Sequence, residues 1–254
     1  MTTVKNISDY IDLIAPYSAK CEWDNCGILI GDKNKHVNKV GFALDMTSEV
    51  LSDAIENKVD LIITHHPIIF RPQKNFLKGN LAYEIAVSGI SAISAHTSFD
   101  CASGGVNDVL CKLLGIKQTQ GVPDEECPVP MARIGEIEPM TSTDFAKKVA
   151  NILGTTCRVA DSDNMIKKVA VCGGAGPDDF LFTSAQMGAD AIVTGEIKYH
   201  IFLAAKEMGI TAIQAGHFET ENPAVFALMK YIENKFSDVE CILLKQTKPT
   251  KIIG

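Results

Sequence analysis

The segment 61–67 reads Leu61-Ile62-Ile63-Thr64-His65-His66-Pro67, an apolar run that ends in two adjacent histidines and a proline. The apolar residues predict a buried strand, and a proline restricts the residue before it to extended geometry. His66 is therefore expected to continue the strand, and the two imidazoles are expected to point to opposite sides. Such a pair does not readily chelate one ion, but each imidazole can serve one of two metals about 3.5–4 Å apart in a shared site. The alternative is that both histidines cap the strand through hydrogen bonds to nearby backbone groups.

Two later segments repeat this pattern of an apolar run followed by polar side chains. Residues 90–93 precede Ser94-Ala95-His96-Thr97-Ser98-Phe99-Asp100, and residues 210–213 precede a segment that contains Gly216-His217-Phe218-Glu219-Thr220-Glu221. Ligands of open parallel sheets bind beyond the carboxyl ends of the strands, so these imidazoles and carboxylates are expected to meet. The nitrogen-rich and oxygen-rich set suits zinc, iron, manganese or nickel, and carboxylates can bridge two cations.

The two halves of the chain resemble each other in the same order. Residues 59–64 match residues 189–194, and residues 89–93 match residues 209–213. Each half reads as strand-helix-strand units, which predict a parallel sheet with helices on both faces. The predicted fold class is α/β, with two similar α/β/α domains from an internal duplication and a metal site in the cleft between them.

The domain boundary is expected in the linker 118–130, which contains Gly121-Val122-Pro123-Asp124-Glu125-Glu126. The first α/β domain is then predicted at 1–125 and the second at 126–254. This boundary is approximate, and the two domains are allowed to exchange terminal elements.

A helix is predicted to begin at Asn222-Pro223, because asparagine is a good cap and proline favours the first helical position. An apolar stripe follows at Val225, Leu228, Met229 and Ile232. Glu221 is accordingly expected just before this helix.

The composition predicts a soluble protein with a substantial core. Hydrophobic residues make up 46% of the 254 residues, enough for one large domain or two small ones. The formal net charge of −7 argues against a general nucleic-acid binder, which ordinarily has a basic face. Met1 is followed by polar and charged residues, and no apolar run approaches the roughly 20 residues of a membrane span. We therefore expect a cytoplasmic protein that does not enter the membrane.

Several motifs together point to one known family. The more specific ones are Thr64-His65-His66-Pro67 and Gly216-His217-Phe218-Glu219-Thr220-Glu221. The others are Trp23-Asp24-Asn25-Cys26-Gly27, Ala43-Leu44-Asp45-Met46-Thr47, His96-Thr97-Ser98-Phe99-Asp100, Gly104-Gly105-Val106-Asn107-Asp108 and Thr194-Gly195-Glu196. Through nearly its whole length the chain resembles the GTP cyclohydrolase I type 2 homologues, also called NGG-one-interacting-factor-three-like proteins. It is similar to a short form, because the ferredoxin-like insertion that longer relatives carry between the two halves is missing.

The resemblance implies two similar α/β domains around a dinuclear metal centre, and subunits that assemble into a toroidal homohexamer. Carried over motif by motif, it implies that two divalent metal ions are bound by His65, His66, Asp100, His217 and Glu221. Glu221 is then the bridging ligand. The identity of the metals stays open among zinc, iron, manganese and nickel.

The family name implies conversion of GTP to a dihydroneopterin derivative, although a fold by itself does not establish a substrate. We expect first a dinuclear metal-dependent hydrolase that acts on a small nucleotide-like or heterocyclic substrate, and second the GTP cyclohydrolase-like chemistry that the resemblance implies. His96 is the expected catalytic residue and assists proton transfer to or from water; its alternative role is to orient Asp100. The same two roles stay open for Glu196. The alternative function is a non-enzymatic metal-binding scaffold or regulatory protein.

Overall fold

The structure is a computed structural model that describes residues 1–124, 127–177 and 179–251. Its strands are, in chain order, β1 (Gly27–Ile30), β2 (Lys39–Ala43), β3 (Leu61–Thr64), β4 (Ser91–Ser94), β5 (Lys117–Gly121), β6 (Arg133–Thr141), β7 (Arg158–Ala160), β8 (Met165–Ala175), β9 (Ala191–Glu196), β10 (Thr211–Gln214) and β11 (Glu240–Leu243). Its α-helices are α1 (Val4–Ile14), α2 (Ser48–Glu56), α3 (Leu81–Ser88), α4 (Thr97–Cys101), α5 (Val106–Leu114), α6 (Ser142–Leu153), α7 (Phe180–Gln186), α8 (Tyr199–Glu207) and α9 (His217–Lys235).

The chain forms two compact units. The first comprises Met1–Phe99 and Val225–Gly254, and the second comprises Asp100–Ala224. The C-terminal segment belongs with the first unit because β11 pairs in parallel with β2, from Glu240 opposite Lys39 to Leu243 opposite Phe42. The boundary predicted between residues 125 and 126 lies outside the described residues.

The sheet of the first unit has the strand order β1-β4-β3-β2-β11. Strands β2, β3 and β4 are parallel, and the edge strand β1 runs antiparallel to β4. The register aligns Ala43 with Thr64 and Thr64 with Ser94, at the carboxyl ends of β2, β3 and β4. Polar residues that follow these strands therefore leave the sheet at one edge, where parallel sheets bind ligands.

The core of the first unit explains why β3 consists mainly of apolar residues. Every residue of β3 is buried. One apolar cluster contains Ile62 of β3 and Ala92 of β4 together with Val50 of α2 and Ile85 of α3. Removal of this apolar surface from water stabilises the fold by about 25 cal/mol per Å² and holds these helices against the sheet.

The sheet of the second unit has the strand order β5-β6-β8-β9-β10-β7. Val169 and Val171 of β8 belong to an apolar cluster with residues of α5 and α6, whereas Ala170 and Cys172 belong to a cluster with residues of α7 and α8. Successive strand residues face opposite sides, so helices cover both faces of this sheet.

The predicted α/β class is confirmed, because the structure is mixed α/β with two sheets and is consistent with two α/β domains. The strands β8, β9 and β10 are parallel, as expected. The strands β5, β6 and β7 are antiparallel to their neighbours, which the repeat of strand-helix-strand units did not predict.

Candidate metal centre

Three histidines of the first unit come together beyond the carboxyl ends of β3 and β4. His65 and His66 follow β3, and His96 follows β4. One ligand nitrogen of each of these residues lies within 4.8 Å of the other two. The ring centroid of His65 is 5.0 Å from that of His66 and 5.1 Å from that of His96. Imidazole nitrogens at this spacing form a donor set that suits zinc, iron or nickel.

The rings of His65 and His66 converge, so the expectation that they point to opposite sides is wrong. Side chains alternate only while the backbone keeps the regular pleat, and β3 ends at Thr64. The Thr64 hydroxyl donates to the carbonyl oxygen of His66 at 2.8 Å, and the His66 N–H donates to the carbonyl oxygen of Leu44 at 3.0 Å. The backbone bends at His65 and His66, and the Thr64 hydroxyl bond spans this bend, so adjacent imidazoles contribute to one group of ligands.

Nδ1 of His65 and Nδ1 of His66 each lie within hydrogen-bond distance of an acceptor. Nδ1 of His65 lies 3.1 Å from the carbonyl oxygen of Ala95, and Nδ1 of His66 lies 2.6 Å from Oδ1 of Asp45. Since a carbonyl oxygen and a carboxylate only accept, Nδ1 of each ring carries the proton and Nε2 carries the lone pair. Metal-binding histidines are typically oriented in this way.

Asp45 is a site residue that sequence reasoning missed, and it is itself held in place by Gln246. The Gln246 amide donates to Oδ2 of Asp45 at 3.0 Å. Its oxygen accepts from the backbone N–H groups of Leu44 and Asp45 at 2.9 and 3.1 Å. The signal for Asp45 was its place just after β2, which parallels the histidines after β3 and β4.

A cavity of about 360 Å³ opens beside His66 in the first unit. Its lining includes Asp45, Thr47, Ile68 and Thr247. Small-molecule sites typically have volumes of about 300–1,000 Å³ and combine apolar walls with a few polar groups. The cavity therefore has the size of a site for a small molecule.

His96 is held by Asp24, whose side chain is 0% exposed. Nδ1 of His96 lies 2.8 Å from Oδ1 of Asp24, and the N–H and hydroxyl of Thr97 donate to Oδ2 at 3.0 and 2.5 Å. Burial by itself raises the pKa of Asp24, but the hydrogen bonds from His96 and Thr97 outweigh it and hold the pKa well below its ordinary range. Asp24 is therefore ionised at neutral pH and keeps the proton of His96 on Nδ1.

Cys26 serves this network as a hydrogen-bond donor. Its thiol donates to Oδ2 of Asp24 at 3.1 Å. Burial, and then the charge of Asp24, raise the pKa of Cys26 to about 12. The thiol therefore stays protonated at neutral pH and donates this hydrogen bond. Asp24, like Asp45, belongs to one of the family motifs but was not predicted as a site residue.

The second unit contains another pair of ligand groups, His217 and Glu221. Nε2 of His217 lies 3.1 Å from Oε2 of Glu221, one helical turn later in α9. Nδ1 of His217 lies 2.7 Å from Oε1 of Glu196 at the end of β9. Glu221 is 4% exposed. Glu196 thus orients His217 as Asp45 orients His66, through a carboxylate on Nδ1.

The start of α9 differs from the prediction. The helix begins at His217 and contains Pro223, so the expected start at Asn222-Pro223, with Glu221 outside the helix, is wrong. The proline removes one intrahelical hydrogen bond. Because residues four apart lie on the same helix face, a helix that begins at His217 places His217 and Glu221 side by side.

Because Gly174 of β8 has no side chain, it leaves room for the side chains of His217 and Glu221. Its φ is +66°, and a Cβ at this position would overlap the carboxylate of Glu221 and lie 3.0 Å from Nε2 of His217. The backbone N–H of Gly174 donates to the hydroxyl of Thr220 at 3.0 Å. A side chain here would therefore push against both ligand groups.

Gly174→Ala is expected to lower the free energy of unfolding by about 2–5 kcal/mol, because the left-handed backbone costs about 1–2 kcal/mol and overpacking adds about 1–3 kcal/mol. Gly154→Ala is the matched control, since Gly154 has a φ of +62° and nothing within 4 Å of the new Cβ. Denaturant unfolding of the metal-free proteins measures both. Equal losses in the two variants would contradict the proposed role of Gly174.

Asp100 lies in α4, the helical turn that follows His96, and is 6% exposed. It is the first residue of the second unit, and its backbone carbonyl accepts from Nδ2 of Asn107 at 3.4 Å. Of the predicted site residues, the structure brings His65, His66 and His96 together in the first unit. In the second unit it brings His217 and Glu221 together.

Nearly the whole chain matches a known protein family. The family model described as Duf34/NIF3 (NGG1p interacting factor 3) matches residues 2–249. The chain belongs to this family. The family resemblance seen in the motifs is thereby confirmed.

Two curated relatives of this Duf34/NIF3 chain are named GTP cyclohydrolase 1 type 2 homolog. The protein from Clostridium perfringens is 34% identical over 257 residues, covering 96% of this chain and 97% of the relative. The protein from Clostridium acetobutylicum is 33% identical, covering 91% and 89%. The crystal structure of Staphylococcus aureus protein SA1388 superposes with a TM-score of 0.88 at 26% identity and covers 99% of both chains.

Across the described part of this Duf34/NIF3 chain, every helix is either too short or too polar to cross a membrane.

Proposed function

We propose that this Duf34/NIF3 protein is a cytoplasmic, metal-dependent hydrolase that acts on a small nucleotide-like or heterocyclic substrate. The observation that carries the proposal is the histidine group of the first unit, whose ligand nitrogens lie within 4.8 Å of one another. The Nδ1 atoms of His65, His66 and His96 are hydrogen-bonded to Ala95, Asp45 and Asp24, respectively. Rings oriented in this way offer Nε2 lone pairs as a group, which is a common preparation for metal binding.

The proposed ligands of two divalent cations are His65, His66, Asp100, His217 and Glu221. Their nitrogen and oxygen donors fit zinc, iron, manganese or nickel, and a carboxylate such as Glu221 is suited to bridge two ions. When bound, cations of this kind lower the pKa of a water ligand from 15.7 toward about 7.

His96 is the proposed proton acceptor in the hydrolytic step. Its Nδ1 proton is committed to the buried carboxylate of Asp24, so Nε2 is the atom that can take a proton. The alternative role is that of a further ligand, since its nitrogen belongs to the same group as those of His65 and His66. Metal content separates the two roles, because only a ligand is needed to retain the ions.

The cavity beside His66 favours a small substrate. Its volume of about 360 Å³ suits a heterocycle or a mononucleotide. The printed name of the curated relatives, GTP cyclohydrolase 1 type 2 homolog, makes GTP the first substrate to test here.

Metal-loaded protein should turn over at least one member of a panel of nucleotides and phosphoesters. Formate released from GTP identifies cyclohydrolase chemistry, and phosphate or a nucleoside identifies a phosphoesterase. His96→Ala is expected to keep its metal and to lose about 10²- to 10⁴-fold in kcat, the usual contribution of a general acid or base. His36→Ala, at an exposed position, is the control. Absence of metal-dependent turnover across the panel would favour the scaffold alternative.

We also propose that the chain assembles into a homohexamer, which rests on the family resemblance and on the general tendency of soluble oligomers to close with symmetry. Light scattering at micromolar concentration is then expected to give about six times the chain mass of 27.5 kDa. A monomer mass would contradict this proposal and leave the metal-binding proposal intact.

A further inference from the structure

Two exposed aromatic side chains of the first unit, Trp23 and Phe70, lie beside His96. Trp23 is 45% exposed and Phe70 is 42% exposed. Their ring centroids are 5.6 Å apart, and they lie 5.9 and 6.3 Å, respectively, from the ring centroid of His96. A single exposed apolar residue needs no explanation, but an aromatic pair beside converging polar groups has the composition of a ligand site.

The loops that carry these aromatic residues are tied to each other. Nδ2 of Asn25 donates to the carbonyl oxygen of Ile69 at 2.6 Å, which joins the loop of Trp23 to the loop of Phe70. Asp24, the neighbour of Trp23, is buried and bonded to His96. The aromatic pair is thus positioned before any ligand arrives, which reduces the entropic cost of binding.

We propose that Trp23 and Phe70 form a stacking surface for a planar heteroaromatic ring of the substrate, such as the base of a nucleotide. The two ring planes are inclined by 44°, so a ligand ring can stack on one of them and meet the other with its edge. Aromatic faces stack on any base, so this surface selects for a flat ring and not for a particular base. The inference rests on the proposed function, because it places the ring of the substrate next to the metal-binding histidines.

Intrinsic fluorescence tests this surface directly, because Trp23 is the one tryptophan in the sequence. Metal-loaded protein is titrated with the 5′-monophosphates of guanosine, adenosine and uridine. At least one of them is expected to quench the emission saturably, whereas ribose 5-phosphate, which lacks the base, leaves it unchanged. Absence of saturable quenching by all three nucleotides overturns the proposal, and so does equal quenching by ribose 5-phosphate.

Substitutions then measure how much each aromatic ring contributes to nucleotide binding. Phe70→Ala is expected to weaken nucleotide binding at least about fivefold, the lower end of the usual effect of removing a stacked aromatic ring. Phe182→Ala is the matched control, since Phe182 is also 42% exposed but lies in α7 of the second unit. In calorimetry Trp23→Phe, which keeps a ring, is expected to bind more tightly than Trp23→Ala. Wild-type affinity in Phe70→Ala and Trp23→Ala overturns the proposal.

Metal content and molecular mass, measured on the same samples, distinguish this proposal from the proposed function. Ring-dependent nucleotide binding without bound metal supports the stacking surface and contradicts the metal-dependent hydrolase. Two bound ions without nucleotide binding support the proposed metal site and contradict the stacking surface. A lower molecular mass of Trp23→Ala, together with unchanged nucleotide binding, assigns the aromatic pair to a contact between subunits and overturns the proposal.

Discussion

Glu221→Gln is expected to remove most of the bound divalent metal from the purified protein. The substitution keeps the shape of the side chain but replaces a charged oxygen with an amide nitrogen, which does not bind a cation. Glu221 is 4% exposed and lies 3.1 Å from Nε2 of His217, so water does not readily replace the lost oxygen. The affinity should fall by at least about 10- to 100-fold, the loss that follows even from removing a residue that only orients a ligand.

Elemental analysis after dialysis measures this effect, with nearly two ions per chain expected for the wild type. Glu233→Gln is a suitable control, because Glu233 lies in the same helix with a side chain that is 44% exposed. The double variant His66→Ala with Glu221→Gln should lose both ions. Full retention of both ions by the double variant would falsify the proposed ligand assignment.

Asp24→Asn is expected to destabilise the protein by about 1–3 kcal/mol for each buried donor that it leaves without an acceptor. The Asp24 carboxylate accepts from His96, from the N–H and hydroxyl of Thr97, and from the thiol of Cys26. An amide would direct its own N–H groups at one or more of these donors. Asp9→Asn is the control, since the exposed pair of Asp9 with Lys5 should contribute about 0.5 kcal/mol or less.

The effect of Asp24→Asn should depend on pH. The pKa of Asp24 in the folded state is lowered, by hydrogen bonds that outweigh burial, below the value of about 3.9 expected in the unfolded chain. Its stabilisation is therefore fully present above that unfolded-state pKa and is lost as the pH falls toward the folded-state pKa. The difference in free energy of unfolding between wild type and variant should shrink from about pH 5 to about pH 3. A constant difference across this range would contradict the assignment.

Much of the candidate site could be predicted from local sequence. Apolar runs that end in His65-His66, in His96 and in a segment with His217 identify strand ends, because burial demands apolar strands and ligands collect at the carboxyl edge of a parallel sheet. The α/β class follows from the same alternation of strand and helix patterns. These inferences needed only neighbours along the chain, where periodicity reports local geometry.

The residues that hold the histidines could not be found in this way. Asp24 and Asp45 contact His96 and His66 across 72 and 21 residues of sequence, and Gln246 contacts Asp45 across 201 residues. Such partners depend on strand register and on the path of the C-terminal segment, neither of which has a local sequence signature.

The residue types at the strand ends and their order are visible in the sequence, and the α/β class and the chemistry of the donors follow from them. The directions in which these side chains point became visible only in the folded chain. The His65 and His66 rings converge because β3 ends at Thr64, and Glu221 lies beside His217 because α9 begins at His217 rather than at the apparent Asn222-Pro223 cap. Neither outcome follows from the local pattern, because alternation holds only within a regular strand and a good cap favours a helix start by only about 1 kcal/mol.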